Sequence, residues 1–321
     1  MQRRSLVALG AAAAFTFAAG AAHAYPDRPI TMIVPWGAGG GTDATARIIA
    51  SLLEGELGQP VNVVNRTGGS GVVGHSAIAT AEADGYTLGV MTVEINMMHW
   101  QGLTDLTWED YTPLVMYNAD AAGVQVAVDA PWDSLEDLIE AARAEPGRLT
   151  ASGTGQGGIW HLALAGMLVE AGLPGDAIRW IPSEGAAPGL QELMAGNVEV
   201  VPCSVVEARS LMDAGRVKSL GLMAAERNPA FADVPTLGEA AGIDWEMAAW
   251  RTVVGPAGLP DEVVETLIPA LRNVYESAEF KEFMEGRGFG MVWREGDDFT
   301  SYLTSNNDDF GRVMRAVGIV Q

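Results

Sequence analysis

A pattern of apolar strand, glycine-rich loop and helix recurs along this chain and limits its fold more than any other feature. The apolar run at 30–34 leads into the glycine-rich segment 37–41, and a helical pattern with one apolar face follows. The same order returns at 61–64, with a second glycine-rich loop at 65–71. Strands that alternate with helices form right-handed βαβ units, so we expect an α/β fold with mainly parallel sheets.

The pattern starts again in the middle of the chain, which predicts a second lobe. The extended stretch at 245–254 is followed only by helical patterns, at 261–277 and 298–317, and therefore does not begin a third domain. Strands of the second lobe are expected at 124–128, 149–152, 178–181, 198–201 and 217–222.

Because its last helices lack strands of their own, the chain must cross back to the first lobe. We expect crossings near Ala122 and Trp250, which would form a hinge between two lobes. The predicted first lobe consists of residues 25–123 and 251–321, and the predicted second lobe of residues 124–250. A chain of this length can bury two separate cores.

The first 24 residues have the features of a cleavable signal peptide. Arg3 and Arg4 precede an alanine-rich apolar stretch, and the small residues Ala22 and Ala24 flank His23 at the expected cleavage point. The prediction is a periplasmic protein. Its route is the general secretory pathway or, because of the arginine pair, the twin-arginine pathway.

Charge and composition exclude several functions. The net charge is −22, and removal of the signal peptide makes it two units more negative, which argues against nucleic acids and anionic membranes as partners. Cys203 is the only cysteine, so no intramolecular disulfide can form. No two of the remaining histidines, nor a histidine and Cys203, have metal-ligand spacing, so neither a metal site nor a cofactor is expected.

The first glycine-rich loop is a candidate anion site. It ends a strand and opens a helix, with Thr42 or Asp43 as the expected N-cap, so backbone N–H groups and the helix dipole point at one place. Thr42 replaces the last glycine of a dinucleotide fingerprint, and no Lys-Ser/Thr pair of a phosphate-binding loop follows. Gly68 to Gly71 lack the spacing of a hydrolase nucleophile elbow, and no catalytic residue is predicted.

Loops that follow parallel strands meet at one edge of the sheet, so the segments 36–42, 65–71 and 92–96 should be neighbours. A carboxylate that accepts two or three charge-assisted hydrogen bonds gains about 1.5 to 3 kcal/mol from each. Two or three such bonds sum to about 3 to 9 kcal/mol before ordering costs, compared with roughly 8 kcal/mol for a micromolar complex. The loops therefore predict a binding site for a small organic acid.

Several side chains near these loops have two interpretations. Trp36 is expected to contact the ligand. Glu94 is either solvated or in contact with a ligand that carries a cationic group, whereas Glu184 is expected to be solvated. His161 faces the cleft or caps its helix, and Cys203 is a small apolar filler at a place where a ligand could touch it.

Taken in order, the segments 25–30, 34–43, 65–69, 84–88, 152–155 and 254–260 resemble the receptors of tripartite tricarboxylate transporters, the Bug family. The resemblance spans essentially the whole mature chain. It implies a Venus-flytrap periplasmic-binding-protein fold that closes on a carboxylate and delivers it to a transporter of one large and one small membrane subunit. It also implies that two glycine loops of the first lobe and the first loop of the second hold the ligand.

The residues expected to bind the ligand come from both lobes. Family members often carry Tyr-Lys at 183–184 and an aspartate at 203, so the solute of a known relative does not transfer to this chain. We expect a monomer. A receptor for a periplasmic sensor partner and an exported hydrolase stay open as alternatives. The expected ligand-binding set is Trp36, Gly37, Ala38, Gly39, Gly40, Gly41, Asp43, Gly68, Gly69, Ser70, Gly71, Thr92, Glu94, Ser152, Gly153, Thr154, Gly155, His161 and Cys203.

Overall fold

The computed structural model describes residues 25–183 and 185–320, so the predicted signal peptide and Glu184 lie outside the described residues. Within this part of the chain the strands are β1 (Ile30–Val34), β2 (Val61–Asn65), β3 (Thr87–Thr92), β4 (Tyr111–Ala121), β5 (Gly123–Ala127), β6 (Thr150–Ala151), β7 (Arg179–Trp180), β8 (Val217–Leu222), β9 (Ala248–Pro256) and β10 (Met291–Arg294). The helices are α1 (Gly41–Leu57), α2 (Val72–Ala79), α3 (Ile95–Met98), α4 (Leu135–Ala144), α5 (Ile159–Glu170), α6 (Ala186–Ala195), α7 (Val205–Asp213), α8 (Leu237–Ala241), α9 (Asp261–Glu276), α10 (Ala278–Arg287) and α11 (Gly296–Ala316).

The first lobe is built on a six-stranded sheet in the order β10-β4-β9-β3-β1-β2. β1 runs parallel to β2 and β3, whereas β9 is antiparallel to both β3 and β4, and β10 is antiparallel to β4. The sheet is therefore mixed, which corrects the expectation of a mainly parallel one. The physical reason is the crossing, because β4 leaves this lobe and β9 returns beside it in the opposite direction.

The second lobe contains shorter ladders. β5 pairs with β8 in antiparallel fashion and β6 with β7 in parallel fashion, and isolated bridges from Gln125 to Val201 and from Ala151 to Val200 connect the two pairs. The strand expected at 198–201 is present only as these bridges. The other four expected strands of this lobe overlap β5, β6, β7 and β8.

Three backbone hydrogen bonds tie the crossing segments together. The Ala122 N–H donates to the Met247 carbonyl at 2.8 Å, the Met247 N–H to the Met223 carbonyl at 3.0 Å, and the Met223 N–H to the Ala122 carbonyl at 2.7 Å. The crossings thus lie beside the positions expected near Ala122 and Trp250. The lobe boundaries at 123/124 and 250/251 stay a prediction.

The C-terminal helix α11 packs on both lobes, because it contacts α3 and β4 of the first lobe and α5 of the second. Asn96 of α3 donates to the Leu303 carbonyl at 3.0 Å, and Arg312 forms an ion pair with Glu170 of α5 at 2.7 Å. The expectation that the last helices pack on the first lobe holds for α9, which lies against α1, but is incomplete for α11. No helix in the described part of the chain combines the length and apolar character needed to cross a membrane.

Candidate functional site

A cavity of about 640 Å³, called the main cleft below, lies between the two lobes. The first lobe contributes the start of α1, the segment 92–94 at the end of β3, and the segment 249–251 of β9. The second lobe contributes Thr154 and the first residues of α5, α6 and α7. Its size is within the usual range for small-molecule sites, and helix N-termini from both lobes meet it.

Helix α1 begins two to three residues earlier than the sequence indicated. Its N-cap is Gly40 and its first residue is Gly41, so the expectation of Thr42 or Asp43 as N-cap is wrong. Each side chain has another partner, since Thr42 Oγ1 accepts a hydrogen bond from Arg251 and Asp43 accepts one from the Gly39 N–H at 2.8 Å. Gly39, Gly40, Gly41 and Thr42 all line the main cleft.

Asp43 stabilises the first glycine-rich loop through hydrogen bonds outside the main cleft. Its carboxylate accepts hydrogen bonds from Asn65 at 2.9 Å and from Arg47 at 3.0 Å in addition to Gly39. Burial raises the pKa of Asp43, but these hydrogen bonds and the charge of Arg47 outweigh burial and lower it to about 2. Asn65 also donates to the Trp36 carbonyl at 2.9 Å, so Asp43 and Asn65 join the first two loops as expected. Asp43 does not line the main cleft.

Arg251 of β9 is the main cationic group that the sequence reasoning missed. Its Nε donates to Thr42 Oγ1 at 3.0 Å, and its Nη1 donates to Asn118 Oδ1 and to Asp120 Oδ2, the latter at 2.5 Å. No acceptor for Nη2 is present among residues 25–183 and 185–320, and a Cβ on Gly41 would lie 3.0 Å from Nη2. Arg251 therefore places a donor beside the first turn of α1, at the wall of the main cleft.

The end of β3 and the residues that follow it form a chain of hydrogen bonds along the same wall. The Trp36 indole N–H donates to Thr92 Oγ1 at 3.1 Å, and Thr92 Oγ1 donates to Glu94 Oε2 at 2.5 Å. The Thr92 backbone N–H donates to His75 Nε2 at 3.1 Å, which fixes this segment on α2. Burial raises the pKa of the half-buried Glu94. Trp36, Thr92 and Glu94 all line the main cleft, and their contact with a ligand stays a prediction.

The second lobe presents Glu207, another residue that the sequence reasoning missed. Ser204 donates to Glu207 Oε2 from its hydroxyl at 3.0 Å and from its backbone N–H at 3.3 Å. The Glu207 side chain is exposed in the main cleft. Desolvation by the protein around the cleft raises its pKa, and the Ser204 hydroxyl and the charge of Arg251 oppose that effect. Thr154 Oγ1 borders the cleft, is buried, and has no hydrogen-bond partner in the described residues.

A smaller cavity of about 350 Å³, the side pocket, adjoins the main cleft and shares Trp36, Glu94 and Thr154 with it. Ser70 and Gly155 line this pocket, together with apolar side chains of α3. The expected ligand contacts that line neither cavity are Gly37, Ala38, Asp43, Gly68, Gly69, Gly71, Ser152, Gly153, His161 and Cys203.

His161 and Cys203 have internal partners. His161 Nδ1 accepts from the Gly157 N–H at 3.0 Å, and burial lowers the pKa of His161 to about 4, so the ring is neutral and supports the third glycine loop. The Cys203 N–H donates to Gln125 Oε1 at 3.2 Å, and burial raises the pKa of the Cys203 thiol. A protonated, buried thiol is a poor nucleophile. Within the described residues, no three His, Cys, Asp or Glu side chains converge as a metal site would need.

Two lobes of α/β structure joined by crossing strands around a cleft are the architecture of periplasmic solute-binding proteins. A family model described as the tripartite tricarboxylate transporter family receptor matches residues 45–319. The chain belongs to this family, so the family resemblance and the two-lobed α/β fold are confirmed.

Known relatives match this chain over most of its length and of their own. A UPF0065 protein from the tcbD-tcbE intergenic region of Pseudomonas sp. strain P51 is 32% identical over 83% of this chain and 79% of its own. The crystal structure of a TctC solute-binding protein from Polaromonas, without ligand, has 31% identity and a TM-score of 0.80, covering 91% of this chain and 99% of that one. R. palustris Rpa4515 with adipate has 28% identity and a TM-score of 0.77, covering 92% and 99%.

Proposed function

We propose that this protein is a periplasmic receptor that captures a small carboxylate in the main cleft. It then delivers the solute to one large and one small membrane subunit of a tripartite tricarboxylate transporter. The family consists of solute-binding receptors, and the adipate bound to Rpa4515 supports a carboxylate as ligand. The receptor does no chemistry on its solute, it acts as a monomer, and a signal peptide at 1–24 exports it.

The observation that carries this proposal is the shared position of the α1 N-terminus and Arg251. The first N–H groups of a helix have no intrahelical acceptor and carry about half a positive charge. In the main cleft they lie beside Nη2 of Arg251, which is fixed by Thr42, Asn118 and Asp120. A carboxylate at this place meets preorganised donors, which reduces the ordering cost of binding.

The first experiment is a thermal-shift and calorimetric screen of mono-, di- and tricarboxylates against neutral sugars. A ligand at about 100 times its dissociation constant adds roughly 2.7 kcal/mol to the free energy of unfolding. We expect carboxylates to raise the melting temperature and sugars to leave it unchanged. If a sugar stabilises the protein and no acid does, the proposal fails. Recovery of the bound acid unchanged after long incubation separates a receptor from a hydrolase.

A glycine substitution tests the position of the carboxylate. The Cβ of Gly41→Ala would lie 3.0 Å from Arg251 Nη2 and 3.4 Å from the Phe289 ring, so it would occupy the space beside the α1 N-terminus and push Nη2 away by a few tenths of an ångström. We expect at least a tenfold loss of affinity with an unchanged circular-dichroism spectrum. Gly55→Ala in the same helix is the matched control, because its Cβ has no neighbour within 4 Å. Equal affinities of the two variants would contradict the placement.

A further inference from the structure

A groove of about 480 Å³, called the outer groove below, lies between α1 and the end of α10. The residues that line it include Gly39, Asp43, Arg47, Phe283 and Arg287. Gly39 and Arg287 also line the main cleft, so the groove and the cleft meet at these two residues. The outer groove therefore leads into the main cleft beside the α1 N-terminus.

The outer groove differs in charge from the chain as a whole. Arg287 is exposed, and its guanidinium has no hydrogen-bond acceptor or ion-pair partner in the described part of the chain. Met284 and Phe283, which precede it by three and four residues in α10, are uncharged, and its guanidinium lies 4.6 Å from the Phe283 ring. Arg47 is half exposed and pairs with the buried Asp43 at 2.9 Å. Two arginines and one aspartate give the groove one net positive charge, in a chain whose net charge is −22.

Other sides of the main cleft are less suited to the approach of an anion. Beside the side pocket, Gln101 of the first lobe donates to the Gly157 carbonyl of the second at 3.1 Å, which holds the lobes together there. Among the described residues that line the side pocket, none is a lysine or arginine, and Glu94 is the charged one. Past the end of α10, a Cβ on Gly288 would lie 3.0 Å from Arg209 of the second lobe, so the lobes are close together there too.

We propose that the solute enters the main cleft through the outer groove and that Arg287 attracts it there. This inference rests on the proposed function, and it concerns the route and rate of binding rather than the contacts of the bound solute. An exposed charge at the mouth of a cleft raises the association rate of an ion of opposite sign, and salt weakens the effect. Arg251 is buried and paired with Asp120, so it contributes little outside the cleft. Arg287 has no carboxylate partner of this kind in the described residues.

Arg287 also has a structural role, because it lies in the last turn of α10, where a cation stabilises the helix. That role acts on the free energy of unfolding. Attraction of the solute acts instead on the association rate, and it grows with the number of negative charges that the solute carries. The two roles therefore have different measurable consequences.

The test is stopped-flow mixing of the full mature protein, followed by tryptophan fluorescence, because Trp36, Trp160 and Trp250 line the main cleft. The probes are adipate and whichever other carboxylate gives the largest thermal shift in the screen above. At an ionic strength of about 0.01 M, where charges act over about 30 Å, Arg287→Gln should lower the association rate about threefold for each negative charge of the probe. The dissociation rate should not change. At about 1 M, where that distance is about 3 Å, the variant and the parent protein should bind equally fast.

Two further variants separate charge from shape and position. Arg287→Lys keeps the charge and should keep the association rate. Arg216→Gln removes an exposed arginine that lines none of the three cavities, and this matched control should leave the rate unchanged. Urea unfolding establishes that each variant is folded.

Two results would overturn this inference while the proposed function stands. One is an association rate of Arg287→Gln equal to that of the parent protein at low ionic strength. The other is a loss of affinity that appears in the dissociation rate, because Arg287 would then hold the bound solute instead of attracting the free one. If no carboxylate binds at all, the proposed function fails and this inference fails with it.

Discussion

Replacement of Arg251 by methionine tests whether the floor of the cleft depends on one buried ion pair. The side chains of Arg251 and Asp120 are 14% and 3% exposed, so the pair is largely out of water. Removal of one member of a buried pair costs about 3 to 5 kcal/mol, because the other charge is left without its partner. Asp120 keeps hydrogen bonds from Asn118 Nδ2 at 3.0 Å and from the Gly290 N–H at 2.9 Å, which places the expected loss near the lower limit, at about 3 kcal/mol.

The measurement is urea-induced unfolding, followed by both circular dichroism and tryptophan fluorescence. Arg148→Met is the matched control, because its ion pair with Glu145 has side chains that are 64% and 66% exposed and should contribute about 0 to 1 kcal/mol. The second substitution Asp120→Asn should restore part of the stability of Arg251→Met, since it removes the uncompensated charge. A loss for Arg251→Met no larger than that for Arg148→Met would refute the reasoning.

Two more predictions concern pH and packing. Because burial raises the folded-state pKa of Glu94 above its ordinary value of 4.5, the ionised carboxyl opposes folding, and Glu94→Gln should increase the free energy of unfolding at pH 7.5. That gain should disappear as the pH falls below 4.5, and an equal gain at both pH values in urea unfolding would contradict it. Gly74→Ala should lose about 1 to 3 kcal/mol through overpacking, since its Cβ would lie 2.4 Å from Pro35 Cα, whereas Gly55→Ala should lose nothing. Similar denaturation midpoints for the two glycine variants would contradict this prediction, because they would mean that Pro35 moves away from the added methyl group at no cost.

The helices and strands were predictable from the sequence because each depends mainly on residues close to it in the chain. The apolar run of β1, the amphipathic repeat of α9 and the Ser134 cap of α4 all depend on neighbours within a few residues. The direction of β9 has no such local signal. Its antiparallel position between β3 and β4 follows from residues more than a hundred positions away in the chain.

The site was predictable to a similar extent. The loop containing Gly39 to Gly41 and the segment with Thr92 and Glu94 were recognisable because loops after parallel strands converge. Glu207 resembles an ordinary capping-box acid in the sequence, and only the tertiary structure turns it toward the cleft. Arg251 had a signal that could have been used, because an arginine within the apolar stretch of β9 must find buried partners.

A chain with a net charge of −22 that binds an anion presents an apparent electrostatic conflict. Most of that charge acts through solvent, where screening reduces it beyond about 8 Å at physiological ionic strength. The α1 N–H groups and Arg251 Nη2 would instead contact the carboxylate directly, so their attraction outweighs the distant field.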